Sequence, residues 1–265
     1  MTILESRTQT GLSWVKESVA LFKTAPRKWL LLALAYVGFF MMLPSVPGLQ
    51  ILAFVSILLW PVFLAVAIAL YRNADMKKQQ NLADVMKTVQ PKMSALMALG
   101  AACLLYGVMI SFVLNSDFQG LADMAQNSVG KSQTQMTESQ MMAFMQKMLP
   151  VMLKMGLLLI PLMMATWFSP MLIAFNNYPI MKAIKSSIAG SIQYIVAIGV
   201  AWLVLMLGIV VLMSLVGVAA GIVSSLVPGA GQLLMPTVVF GCLLLATALM
   251  LAFQYVSYRD VFRAA

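Results

Sequence analysis

Residues 194–227 carry no Asp, Glu, Lys or Arg, and this run limits what the chain can fold into more than any other feature. As one helix it would measure roughly 51 Å at ~1.5 Å per residue, well beyond the ~30 Å of a bilayer's hydrocarbon core. The span is therefore expected to end or bend near Gly217 or Gly221, leaving IVSSLVPGAG as an apolar connection at the outer surface. Five more apolar runs occur, at residues 29–43, 49–71, 93–114, 150–175 and 233–256. The first two are joined by PSVPG, a tight-turn sequence. A chain that is 62% hydrophobic and 9% charged, with a mean hydropathy of +0.94, has too little polar surface to coat a soluble globule. The expected fold is all-α and polytopic, six transmembrane helices in three hairpins plus amphipathic helices on the cytoplasmic side.

Three shorter segments alternate polar and apolar residues at helical spacing. Residues 8–24 place Leu12, Val15, Val19 and Phe22 opposite Lys16, Glu17 and Lys23, as in a helix lying in the membrane interface. In NLADVMKTV, Leu82, Val85, Met86 and Val89 share a face and Asn81 is placed to cap the N-terminus. In residues 180–193, Met181, Ile184, Ile188 and Ile192 form one side, with Lys182, Lys185, Ser186 and Gln193 elsewhere. Three parts result: an amphipathic N-terminal region at 1–28, a transmembrane domain at 29–256 with an outer loop at about 115–150, and a cytoplasmic tail at 257–265. The loop's QNSVGKSQTQ is expected to be locally mobile, and Thr137 to Gln140 fits a capping box that starts the next helix. No small-residue cleavage site follows a short apolar region near the N-terminus, so the first apolar run is expected to be retained.

Of the 17 lysines and arginines, Lys131, Lys147 and Lys154 alone fall on the far side if the N-terminus is cytoplasmic. They are balanced there by Asp117, Asp123 and Glu138, so the net charge of +9 belongs to one face. The positive-inside rule then puts both termini in the cytoplasm of a bacterial cell, in its inner membrane. Topology and anionic lipid account for the basic charge, and no nucleic acid is expected as a partner.

The outgoing members of the three hairpins end alike, in Tyr71-Arg72-Asn73, Phe175-Asn176-Asn177 and Tyr258-Arg259-Asp260. The pattern suggests three units of amphipathic helix, span, turn and span. LSWVKESVALFKTAPRKWLLL near the start, with Ser169-Pro170, Asn177-x-Pro179 and Ala183-x-x-x-Ser187 after the fourth span, resembles an uncharacterised bacterial inner-membrane family. That family is related to the membrane domain found beside some glycerophosphodiester phosphodiesterases. The resemblance implies a six-helix membrane domain without the phosphodiesterase barrel, and it brings no catalytic residues.

The chain has no histidine, which removes histidine metal sites, Ser-His and Cys-His pairs and imidazole proton shuttles. No aspartate or glutamate lies in a predicted span, so a buried carboxylate pair or acidic proton relay is not expected either. No catalytic residue and no cofactor are expected. Cys103 and Cys242 lie in apolar runs and read as small hydrophobes. Met141, Met145, Met148, Met152 and Met155 form a stripe at steps of four and three; thioethers can bind Cu(I), but such a stripe is first a packing face or a groove for an apolar partner. Gly217 with Gly221, and Gly107 with Ser111, permit close helix approach within the bundle or across a homodimer. Pro61, Pro161, Pro170 and Pro236 interrupt apolar runs and can open a cavity.

Two functions are compatible with these features. The leading expectation is a non-enzymatic inner-membrane protein that interacts with lipids or envelope proteins, with Lys16, Lys87, Lys182 and Lys185 against anionic headgroups. The alternative is a transporter or channel for a lipidic or small neutral solute, with Trp60, Thr166, Trp167, Ser169 and Asn176 lining a cavity.

Overall fold

A computed structural model describes residues 3–78, 81–129, 138–227 and 230–262. The described residues are helical, with no strand among them: α1 (Ile3–Thr24), α2 (Pro26–Val37), a π-helical stretch (Gly38–Met42), α3 (Leu43–Ser45), α4 (Leu52–Asp75), α5 (Leu82–Val89), a short 3-10 turn (Gln90–Lys92) and α6 (Met93–Val113). The chain continues as α7 (Asn115–Val129), α8 (Glu138–Thr166), α9 (Ser169–Asn176), α10 (Ile180–Gln193), α11 (Ile195–Leu226) and α12 (Ala230–Phe262). Six segments are long and apolar enough to cross a membrane: Pro26–Ser45, Leu52–Asp75, Leu82–Val113, Met145–Asn176, Ile195–Leu226 and Gly231–Phe262. The chain is an all-α polytopic membrane protein.

Local chemistry sets the element ends. Pro26 opens α2, where its missing N–H costs nothing. Gly48, at φ +86°, supplies the left-handed residue of the PSVPG turn. The Asn81 side chain accepts the Asp84 amide at 3.0 Å, as the sequence suggested. Lys77 takes a left-handed φ of 53° after α4, so the Lys78 amide reaches back to the Asn73 carbonyl at 2.8 Å. The last carbonyls of α4 are thus capped without a glycine.

Packing is concentrated at the basic end of the bundle. Buried side chains include Trp29 and Ala33 early in α2, Leu64 through Tyr71 late in α4, and Leu96 and Leu99 early in α6. Ala197 and Ala201 early in α11, and Phe253, Tyr255 and Tyr258 late in α12, complete this core. Towards the other end Leu207, Val210 and Leu215 of α11, and Leu233 and Val239 of α12, are exposed. In hydrocarbon such exposure carries no hydrophobic penalty, so helices hold together only where shapes interlock. α12 is the hub, packing against α11, α1, α2 and α4.

Several expectations are corrected. α11 runs unbroken past Gly217 and Gly221 to Leu226, so the IVSS of the expected apolar connection belongs to the helix. Most of it faces outward, and a span that need not fit between neighbours is free to be long. Part of the expected mobile loop is helix α7, tied to α8 by an ion pair of Lys154 with Asp117 at 3.1 Å. Thr137 of the expected capping box lies outside the described residues. On α1 the buried stripe is Gly11, Trp14, Ser18 and Leu21, one position before the expected one, and Leu12 is exposed. The shift arises because α1 packs on α11 and α12 through a small residue and a tryptophan.

Within the bundle the close approaches fall elsewhere than at the expected glycines. A Cβ at Gly107, Gly217 or Gly221 would meet nothing within 4 Å. A Cβ at Gly100 would collide with the Leu58 backbone of α4, and one at Gly11 with the Ala197 carbonyl of α11. We therefore predict that Gly100→Val costs about 1–3 kcal/mol through overpacking and lowers the thermal midpoint of the detergent-solubilised protein. Gly107→Val should leave that midpoint near wild type, and equal effects of the two would contradict the packing described.

Candidate functional site

The three chain ends that look alike in sequence meet at the basic end but do different work. Arg259 of α12 donates to Asp75 of α4 at 2.9 Å and also pairs with Glu17 of α1. Tyr255 donates to the same Asp75 carboxylate at 2.8 Å. The Trp14 indole donates to Asp260 at 2.7 Å, and the Tyr258 hydroxyl donates to Asn176. Tyr71, stacked on Trp29 at 3.9 Å, donates to the Ala248 carbonyl at 2.8 Å. The ion pairs are partly solvated and worth only about 0–1 kcal/mol each. Their effect is positional: the solvent-exposed carboxylates of Glu17, Asp75 and Asp260 are each bonded to a neighbouring helix, and Lys16, Lys87, Lys182 and Lys185 are exposed beside them.

Beside this network lies a pocket of about 180 Å³ between the end of α4, α5 and α9. Arg72, Asn73, Lys78 and Thr88 give it polar groups, and Ala69, Met76, Val85 and Phe175 give it an apolar wall. The Arg72 guanidinium lies 5.4 Å from the centre of the Phe175 ring. No carboxylate lines the pocket. The negative end of the α4 dipole opposes an anion here by about 0.3–1 kcal/mol. Two cations at roughly 1 kcal/mol each near a membrane surface outweigh it.

A second feature is the fourth span, expected to carry Pro161 and Pro170 and to end near Phe175. It breaks at Trp167 and Phe168, and a new helix, α9, starts at Ser169 with Pro170 in its first turn. A break inside a bilayer must find protein partners for its backbone groups. Ser187 of α10 accepts the Phe168 amide at 3.0 Å and donates to the Met164 carbonyl at 2.7 Å, while Gln254 of α12 donates to the Trp167 carbonyl at 2.8 Å. This explains α10, whose buried face is Ala183, Ser187, Gly190 and Ser191, whereas Met181 and Ile192 of its expected apolar face are exposed. Between α8 and α11, just beyond the break, is an apolar cleft of about 410 Å³ bordered by Met163, Met164, Trp167, Ser191, Ile195 and Trp202.

Of the expected cavity residues, only Trp167 borders this cleft. Thr166 and Ser169 are buried and donate to the Leu162 and Ala165 carbonyls of their own span. Asn176 is exposed and engaged with Tyr258, and Trp60 is on α4. Trp14, Arg72, Lys78, Ser187 and Gln254 were not among the candidate site residues from sequence, although Arg72 and Ser187 stand in the repeated span end and the Ala-x-x-x-Ser motif. In the methionine stripe, Met145 and Met152 are half exposed on α8, and the Met141 side chain lies outside the described residues. Among the described residues no group of His, Cys, Asp or Glu is placed to hold a metal, and Cys103 and Cys242 are buried and unbridged.

Comparison with the models of known families, with curated proteins and with solved structures finds no match.

Ser187→Ala should leave the Phe168 amide without a partner and cost about 1–3 kcal/mol. Limited proteolysis and thermal denaturation in detergent would register the loss. Wild-type stability of this variant would show that the hydroxyl does not hold the break.

Proposed function

We propose that this chain is a non-enzymatic integral membrane protein of the bacterial inner membrane, both termini cytoplasmic, that interacts with membrane lipids through its basic end. The observation that carries the reading is the sorting of charge there. Three exposed acids are bonded to partners on neighbouring helices, and Lys16, Lys87, Lys182 and Lys185 stand exposed on three helices. Exposed Leu12, Leu82, Met181 and Ile192 on the same helices suit the acyl boundary beneath the headgroups. The same proposal includes the kinship with the membrane domain of glycerophosphodiester phosphodiesterases, and envelope proteins as further partners.

A specific observation favours a second reading, transport of a lipidic or small neutral solute: the broken fourth span borders an apolar cleft of about 410 Å³. Discontinuous helices beside a cavity recur in transporters.

Two outcomes are expected. With Lys16, Lys87, Lys182 and Lys185 all changed to Gln, native mass spectrometry of protein released from its own membrane should show most co-purifying anionic lipid gone; unchanged lipid would sink the first reading. Gly199→Phe projects a ring from α11 into the cleft, where a Cβ meets nothing within 4 Å. If the second reading holds, it should block lipid scrambling or solute efflux in proteoliposomes that wild type supports, and undiminished flux would exclude the cleft as the route.

A further inference from the structure

We infer that the pocket formed by Arg72, Asn73, Lys78 and Thr88 is a binding site for a phosphate ester, the headgroup phosphate of an anionic phospholipid. The inference deepens the lipid-interaction reading by naming one site and its ligand chemistry. Two cations, Arg72 in the last turn of α4 and Lys78 just past its end, line one cavity of about 180 Å³. Asp75, the acid nearest to them in sequence, is turned away, occupied by Arg259 and Tyr255. The carbonyls at the end of α4 are likewise occupied, those of Arg72, Asn73 and Ala74 accepting the amides of Met76, Lys78 and Lys77. The cavity lining thus brings together positive charge and side-chain hydrogen-bonding groups, the set that recognises a phosphate oxygen.

The wall argues for a lipid over a soluble ester. Ala69, Val85 and Phe175 face the same space, so a ligand entering it meets charge on one side and hydrocarbon on the other. The pocket also sits at the end of the second span, α4. The left-handed Lys77 turns the chain so that Lys78 reaches the pocket rather than continuing the α4 axis.

The test is native mass spectrometry of the delipidated full chain, titrated with dioleoyl-phosphatidylglycerol, with dioleoylglycerol and with glycerol phosphate. Wild type should bind one phosphatidylglycerol more tightly than the rest, and dioleoylglycerol should not compete. Lys78→Gln, an exposed position, should weaken that first site about fivefold, and Arg72→Gln by at least as much. Equal affinity for glycerol phosphate would keep the phosphate site but assign it a soluble ester. Wild-type affinity in folded Lys78→Gln and Arg72→Gln would overturn the inference. The four-lysine variant separates the two readings. Lipid lost only there leaves the general reading and removes the pocket; lipid lost only with Lys78 and Arg72 does the reverse.

Discussion

Arg259 is the point on which the assembly turns. It is a single guanidinium near the end of the chain, yet it holds a carboxylate from the first helix and one from the end of the second span. The planar fork gives each carboxylate its own nitrogen, Nη1 to Asp75 and Nη2 to Glu17, in a fixed geometry. Around it the aromatic ends of α4 and α12 find their hydroxyl partners, and the buried core collects within a few turns. Elsewhere the spans run out into hydrocarbon with little to hold them together. In a bilayer this is a stable arrangement, since apolar area facing lipid is not expelled.

Much of the architecture was legible from residues alone. Uncharged runs locate the spans, Gly48 and the prolines around it locate a turn, and Asn81 locates a cap. These are local properties, and local chemistry decides them. The offset of the α1 stripe shows where such reading stops. Leu12, Val15, Val19 and Phe22 are the more apolar set, but Gly11 and Trp14 are what α11 and α12 accommodate. In a membrane protein hydrophobicity no longer says which side is inside. Small size and hydrogen-bonding ability say it instead, as Ala183, Ser187, Gly190 and Ser191 on α10 illustrate.

The sites were less legible, for the same reason. Arg72 and Lys78 read as two more positive-inside charges until α5 and Phe175 are brought beside them. Glu17, Asp75 and Arg259 come from three helices far apart in sequence, and no spacing rule joins them. The matching triplets at the span ends did point to this region, although the Asx of each serves differently. Asn73 is buried within α4, Asn177 takes a left-handed cap with φ 54°, and Asp260 accepts a tryptophan. Resemblance in sequence marked a common depth in the membrane and not a common task.

The broken fourth span has a consequence for how the protein is made. The groups that settle the break, Ser187 and Gln254, both lie C-terminal to it. A ribosome working from the N-terminus delivers Trp167 and Phe168 to the membrane before either partner has been synthesised. Until α12 arrives, the Trp167 carbonyl must be satisfied by water at the insertion machinery or by another backbone path. The mature shape of the fourth span is therefore a late event in biogenesis, completed only when the last helix closes over it.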